Sequence, residues 1–420
     1  MKVSLATEMA PPFVLVAHFF IAGIVFLVLS GVWLFGMTYE ILGYFISFSW
    51  AAFSHLYLLG FVMMIIFGAM YQLLPVVLEA PIFSKDFAYI QFYAYLVGLV
   101  MMVLGFSVDG LSPLIAYGAV ILYTSMLIFC SNVFLTFYRL ETMSLVGNFL
   151  LVATVFLFLS VSLGLLIGLN LSHGFLEIDM DAWTKAHIIG TLGGFVMMVI
   201  MGVSMVLIPM FSLSHGFKDT FIKAAFYLYS MGIFGCMTAL IFALSSWLLM
   251  FSALLGLIGV VCYLNQMRII FSQRVRKQND YWVKNIVLAW GHLILSSLSL
   301  IMYVVSGKSQ WAMLLGVIFF FGFLLPFVVG HIYKIFPFLI WYQKFSPLVG
   351  KQKVPLLHEM IQSTVANTQT YMLFGAVFIQ VCGIYFEQQV LFLGGSILLW
   401  CSLLLVAYNA FFAFNFKIKE

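Results

Sequence analysis

Eight histidines and 24 methionines give this 420-residue chain its means of binding a metal or a metal-bearing cofactor. His173, His215 and His358 stand among polar and turn-forming residues, the first two inside copies of Leu-Ser-His-Gly-Phe, and read as loop or interface residues. The other five, His18, His55, His187, His292 and His331, lie inside long apolar runs. A neutral imidazole ligates heme iron or copper well, and a neighbouring acceptor usually orients its other nitrogen. An ionisable side chain within a membrane is costly and points to a role, although a hydrogen-bonded packing histidine meets the same description. His18, His292 and His331 fall toward one side of the membrane and together could hold a metal with an open position. Met197, Met201 and Met205 recur at every fourth residue, and Met63 and Met70 share a helix face. Thioethers select Cu(I), so such rows could line a copper path; methionine also fills irregular helix contacts. No side chain stands out as catalytic.

The elements that must position these residues follow from composition. Hydrophobic residues make up 65% of the chain and charged residues only 8%, against about 25% charged in a soluble protein. Too few polar residues exist to cover a soluble surface, so lipid must cover it. This excludes a soluble enzyme, a secreted disulfide scaffold and a nucleic-acid binder. Cys130, Cys236, Cys262, Cys382 and Cys401 lie in apolar runs without a C-x-x-C pair and read as small buried hydrophobes. Spans of about 20 apolar residues are expected at 12–36, 48–76, 87–107, 112–137, 144–169, 183–210, 220–243, 245–269, 284–306, 311–343, 369–386 and 389–414. The first is long enough to cross a bilayer and is expected to stay in the mature protein. No segment alternates as barrel strands do. The expected fold is all-α: a single transmembrane domain of twelve helices.

Orientation rests on Lys and Arg. Lys85, Arg139, Lys218, Lys223, the group Arg268, Arg274, Arg276, Lys277 and Lys284, then Lys344, Lys351 and Lys353 follow even-numbered spans, and Lys417 and Lys419 follow the last. Loops after odd-numbered spans carry only Lys185 and Lys308, with Glu40, Asp109, Glu177, Asp179, Asp181 and Glu387. The expectation is a multi-pass protein of the cell inner (cytoplasmic) membrane with both termini cytoplasmic.

Helices two, six and ten share a pattern. Phe61, Gly68, Leu73 and Pro75 correspond to Phe195, Gly202, Leu207 and Pro209, and to Phe323, Gly330, Ile335 and Pro337. Each Gly precedes its Pro by seven residues, two helical turns, which keeps it on one face where it admits close helix approach. The pattern predicts three repeats of four helices, approximately 12–137, 144–269 and 284–414.

His55 followed by Gly68-Ala-Met-Tyr-Gln-Leu-Leu-Pro75-Val-Val-Leu-Glu-Ala80-Pro81 resembles helix two of heme–copper oxidase subunit I, and Gly330 to Phe336-Pro337 resembles the inner end of that family's helix ten. The resemblance implies twelve helices in a pseudo-threefold arrangement and His55 as axial ligand of a b-type heme (heme b), with a respiratory subunit or a cytochrome or quinol electron donor as partner. It covers the whole chain in architecture but only these two segments in motif. The departures are equally specific. The family's outer H-x-H pair on helix ten would fall at Leu315 and Val317, and His331 lies 14 residues deeper, about 21 Å along the helix. His187 is present on helix six, but Ile188-Ile189 replace the family's Pro-Glu, and no His-His pair completes a copper site. His187 is also offset from the repeat by two residues, about 200° around a helix.

No Asp or Glu falls in the central part of any expected span, which argues against proton pumping. Lys334 is expected to snorkel to the inner surface. Two functions remain open. One is a heme-binding, or copper-binding, membrane protein with His55 and His187 as cofactor ligands, in respiratory electron transfer or nitric-oxide tolerance, as the resemblance implies for relatives with incomplete histidine sets. The other is a transporter or channel for copper, heme or a small ligand through the Met-lined helices two and six.

Overall fold

Apolar runs place the helices along the chain, but polar residues start them. The protein is described here by a computed structural model covering residues 11–37 and 47–417. Glu40, Lys419 and both chain ends lie outside the described residues. Twelve long helices are present among the described residues: α1 Phe13–Gly36, α2 Phe48–Leu78, α3 Lys85–Ser107, α4 Pro113–Tyr138, α5 Leu145–His173, α6 Met180–Ser212, α7 Thr220–Ile241, α8 Ser246–Ser272, α9 Tyr281–Ser306, α10 Ser309–Lys344, α11 Ser363–Tyr385 and α12 Gln389–Phe414. The extended contact found among those residues is an isolated antiparallel bridge between Ser214 and Arg274. The chain is an all-α polytopic membrane protein.

Several helices begin before their apolar run does, because a side-chain oxygen satisfies the first free amides. Ser84 accepts from Phe87 N, Ser144 from Gly147 N, Asp179 from Asp181 N and Ala182 N, and Asp280 from Val283 N. Thus α6 starts at Met180 and α9 at Tyr281, three residues ahead of the apolar stretches. Among the described residues, 11 helices are both long and apolar enough to cross a membrane. The twelfth, α11, has the length but carries Gln369, Thr370 and Gln380 within it. All three are buried and bonded: Gln369 donates to Ser402 and Gln380 to Ser396, both on α12, while Thr370 accepts from Asn285 of α9.

Three devices recur along the chain. Part of α2 (His55–Met63), of α6 (Ile189–Met197) and of α10 (Ile318–Leu324) winds as π-helix, beginning 20, 20 and 19 residues before Pro75, Pro209 and Pro337. Such widened turns are uncommon and concentrate at functional sites. Secondly, the hairpins α3/α4, α7/α8 and α11/α12 each pack backbone on backbone at glycine. A Cβ on Gly98 would lie 2.8 Å from Leu122 N, one on Gly232 2.4 Å from Gly256 N, and one on Gly383 2.6 Å from Phe392 N. Small residues permit this approach where lipid supplies no hydrophobic drive between helices. Thirdly, an amide near the end of each hairpin's second helix ties down the start of its first. Asn132 accepts from Ser84 N, Gln266 from Ile222 N and Asn409 from Gln362 N, at 2.9, 3.2 and 3.0 Å.

The chain forms two compact units. One comprises Ala69–Lys277 with residues 11–15, and so contains the start of α1, the end of α2 and helices α3 to α8. The other comprises the described residues of 16–68 and 278–417, with the rest of α1, the first part of α2 and α9 to α12.

Candidate functional site: the intramembrane histidines

The histidines owe their ring orientation to backbone carbonyls. His55, the first residue of the π stretch in α2, has Nδ1 2.7 Å from Ala51 O. His292 in α9 holds the same relation to Leu288 O at 2.8 Å, and His331 in α10 to Phe327 O at 2.7 Å. A carbonyl oxygen only accepts, so Nδ1 carries the proton in each ring. In the neutral imidazole that leaves Nε2 with the lone pair, the form in which histidine binds a metal.

His187 differs from these three in how it is held. Its Nδ1 lies 2.7 Å from Ser160 O on α5, so a second helix sets the ring's direction. Gly164, one turn further along α5, makes the space, since a Cβ there would stand 2.7 Å from His187 Cε1. Thr191 then donates to the His187 carbonyl at 2.8 Å, at the head of the widened turn in α6. This ring is therefore positioned by tertiary structure, whereas the others are positioned by their own helices. Its cause in sequence is a pair of small residues, Ser160 and Gly164, four apart on α5, a signal not used in reading the sequence.

His55 and His187 fall in different compact units, the first with Val16–Gly68 and the second within Ala69–Lys277. The opposite face of α2, two residues to either side of His55, is aromatic. Phe53 stacks on Tyr57 at 6.0 Å between centroids, and Tyr57 packs on Phe320 and Phe321 at 5.5 Å. The Tyr57 hydroxyl donates to Phe320 O at 2.7 Å, which joins the π stretch of α2 to that of α10. Neither Tyr57 nor Phe320 was singled out from sequence, because the link needs both π stretches to exist.

The structure does not gather His18, His292 and His331 into one metal centre. Among the described residues no group of three or more His, Cys, Asp or Glu is placed to hold a metal ion. His331 is buried with its ring 4.5 Å from Phe327 and 6.4 Å from Trp282. His292 lies against Gly322, with Phe374 at 6.1 Å, and His18 is half-buried in α1. Val317, where the oxidase-like pattern would have a histidine, is a buried residue just before the widened turn of α10.

Met197 and Met201 are buried on α6 and Met205 is partly exposed, while Met63 and Met70 are buried on α2. The neighbouring Met198 accepts from the Ser230 hydroxyl at 3.7 Å. Lys334 pairs with Asp280, at the start of α9, at 2.8 Å. Capping of α9 by Asp280 brings a carboxylate within reach, and the rings of Tyr281 and Trp282 lie 5.3 and 5.9 Å from the ammonium.

With Nδ1 on a carbonyl, each of these four rings in its neutral form directs an Nε2 lone pair away from that bond, a ligand type that suits the iron of a b-type heme or a copper ion. No known protein family matches the chain, and no curated protein proves similar to it.

Proposed function

We propose that this chain is a multi-pass protein of the cytoplasmic membrane, with both termini on the cytoplasmic side, that binds a b-type heme through His55. Its role is in respiratory electron transfer or nitric-oxide tolerance, without dioxygen reduction. The observation that carries the reading is the Ala51 carbonyl on His55 Nδ1, at the first residue of a π stretch. That bond fixes the tautomer, raises the basicity of Nε2 and spares the ring a rotational search on ligation. The buried rings of Phe53, Tyr57 and Phe321 pack the same stretch of α2 on its other face. A bound heme supplies a one-electron couple and an iron on which a diatomic gas can bind. His187, held by Ser160 O, is a second cofactor ligand in its own unit, for heme or copper. A respiratory subunit, or a cytochrome or quinol, is the electron donor in this reading.

The deciding experiment is the absorption spectrum and metal content of the purified full chain. A Soret band and bound iron are expected, lost in His55→Ala while helix content and elution volume are kept. Wild-type protein with no Soret band and neither iron nor copper would refute the reading. The alternative, a copper, heme or small-ligand path, draws support from the buried Met197 and Met201. Uptake into proteoliposomes that drops when Met197, Met201 and Met205 are all changed to Leu would favour it.

A further inference from the structure

The connections that follow α2, α6 and α10 are unequal. Residues 79–84 and 213–219 close the first two, whereas residues 345–362 close the third. The longer segment is built in two layers. Its inner layer is anchored: Phe345, Met360 and Ile361 are buried, Trp341 Nε1 donates to Pro355 O at 2.7 Å, and Gln362 N donates to Asn409. Its outer layer is apolar and basic together. Val349, Leu356 and Leu357 are 56, 61 and 43% exposed, beside exposed Lys351 and Lys353. The segment's one carboxylate, Glu359, is occupied in capping Leu356 N at 2.8 Å.

We propose that residues 345–362 form an interfacial element that seats in the headgroup layer of the surrounding bilayer and takes anionic phospholipid headgroups. Chain continuity supplies the first argument. The segment leaves α10 at Lys344 and enters α11 at Ser363, so both of its ends are held at the membrane surface. Exposed Leu and Val at that level have acyl chains to enter, and Tyr342 and Trp341 just before it belong to the residue types that collect at such interfaces. Charge supplies the second argument. Two exposed lysines outnumber the segment's single carboxylate, Glu359, and complement lipid phosphate, and each contributes roughly a fivefold gain in affinity for an anionic surface at moderate salt. The tight fastening to Trp341 and Asn409 keeps the outer layer facing one way.

The test is tryptic cleavage of the full chain in nanodiscs, followed by mass spectrometry of the fragments. Lys308, exposed in the connection between α9 and α10, is the internal reference. In discs containing phosphatidylglycerol, cleavage at Lys351 and Lys353 is expected to slow at least roughly fivefold relative to phosphatidylcholine discs. The protection should vanish at about 1 M salt, where charges are screened beyond about 3 Å. Leu356→Ser with Leu357→Ser should speed cleavage in both lipids. Equal rates in the two lipids, or slowing shared equally by Lys308, would overturn the proposal and leave this surface to a protein partner.

Discussion

Removing the ammonium at Lys334 should destabilise the protein far more than a surface lysine would. The Lys334–Asp280 pair is 2.8 Å long, and its side chains are only 14 and 10% exposed. At an effective dielectric of about 20 the gross attraction is about 6 kcal/mol, most of it offset by the desolvation of both ions. Lys334→Met removes the attraction but leaves Asp280 dehydrated, so the loss should be about 3 kcal/mol. Asp280→Asn is the milder change. Asparagine still caps Val283 N, and the stranded ammonium keeps Tyr281 and Trp282 for company, so about 1–2 kcal/mol is expected. The double variant should cost no more than Lys334→Met alone, giving a coupling energy of at least about 1–2 kcal/mol. Reversible unfolding of the detergent-solubilised chain by sodium dodecyl sulfate, followed by circular dichroism, measures all four forms. Strictly additive losses, or a Lys334→Met loss below about 0.5 kcal/mol, would mean that the pair is a surface contact.

Further substitutions probe the histidine sites and the hairpins. Gly164→Val should push the His187 ring off Ser160 O and abolish whatever bound cofactor signal His187→Ala abolishes, leaving any His55-dependent Soret band in place. Tyr57→Phe keeps the ring stack but deletes the bond to Phe320 O, and should lower unfolding stability by about 1 kcal/mol. Gly118→Val forces a Cβ to within 2.7 Å of the Met102 amide; it should cost at least about 2–3 kcal/mol, measured by the same unfolding titration. Changing Met197, Met201 and Met205 to Leu should leave both stability and heme content close to wild type if the row only packs, since Leu and Met are close in volume.

The helices were legible from sequence to within a few residues, because each must supply about 30 Å of apolar length and little else competes for that signal. Two helices, α6 at Met180 and α9 at Tyr281, start ahead of the apolar run, since a hydropathy run cannot see that Asp179 and Asp280 satisfy amides further on. α11 also starts early, at Ser363, six residues ahead of its apolar run, but without a capping side chain. The histidines could be found, but not their orientation. His55 bonds within its own helix, so its partner is implied by spacing alone; His187 bonds 27 residues back, through a helix contact that composition does not encode. The π stretches left no composition signal either, since each reads as ordinary apolar helix. The partner of Lys334 is not legible either, because it lies 54 residues away, at the start of another helix.

The polar side chains inside α11 have a consequence for how the protein is made. During synthesis the translocon presents each emerging segment to lipid, and Gln369, Thr370 and Gln380 make α11 a poor candidate to leave on its own. Its amides find Ser402 and Ser396 only once α12 has been translated. The last two segments should therefore exit laterally together, as a preassembled hairpin. A nascent chain truncated after Gln388 should fail to integrate α11 in a glycosylation-mapping assay, whereas the full chain should integrate it. Integration of the truncated chain at full efficiency would mean that lipid accepts those amides unpaired.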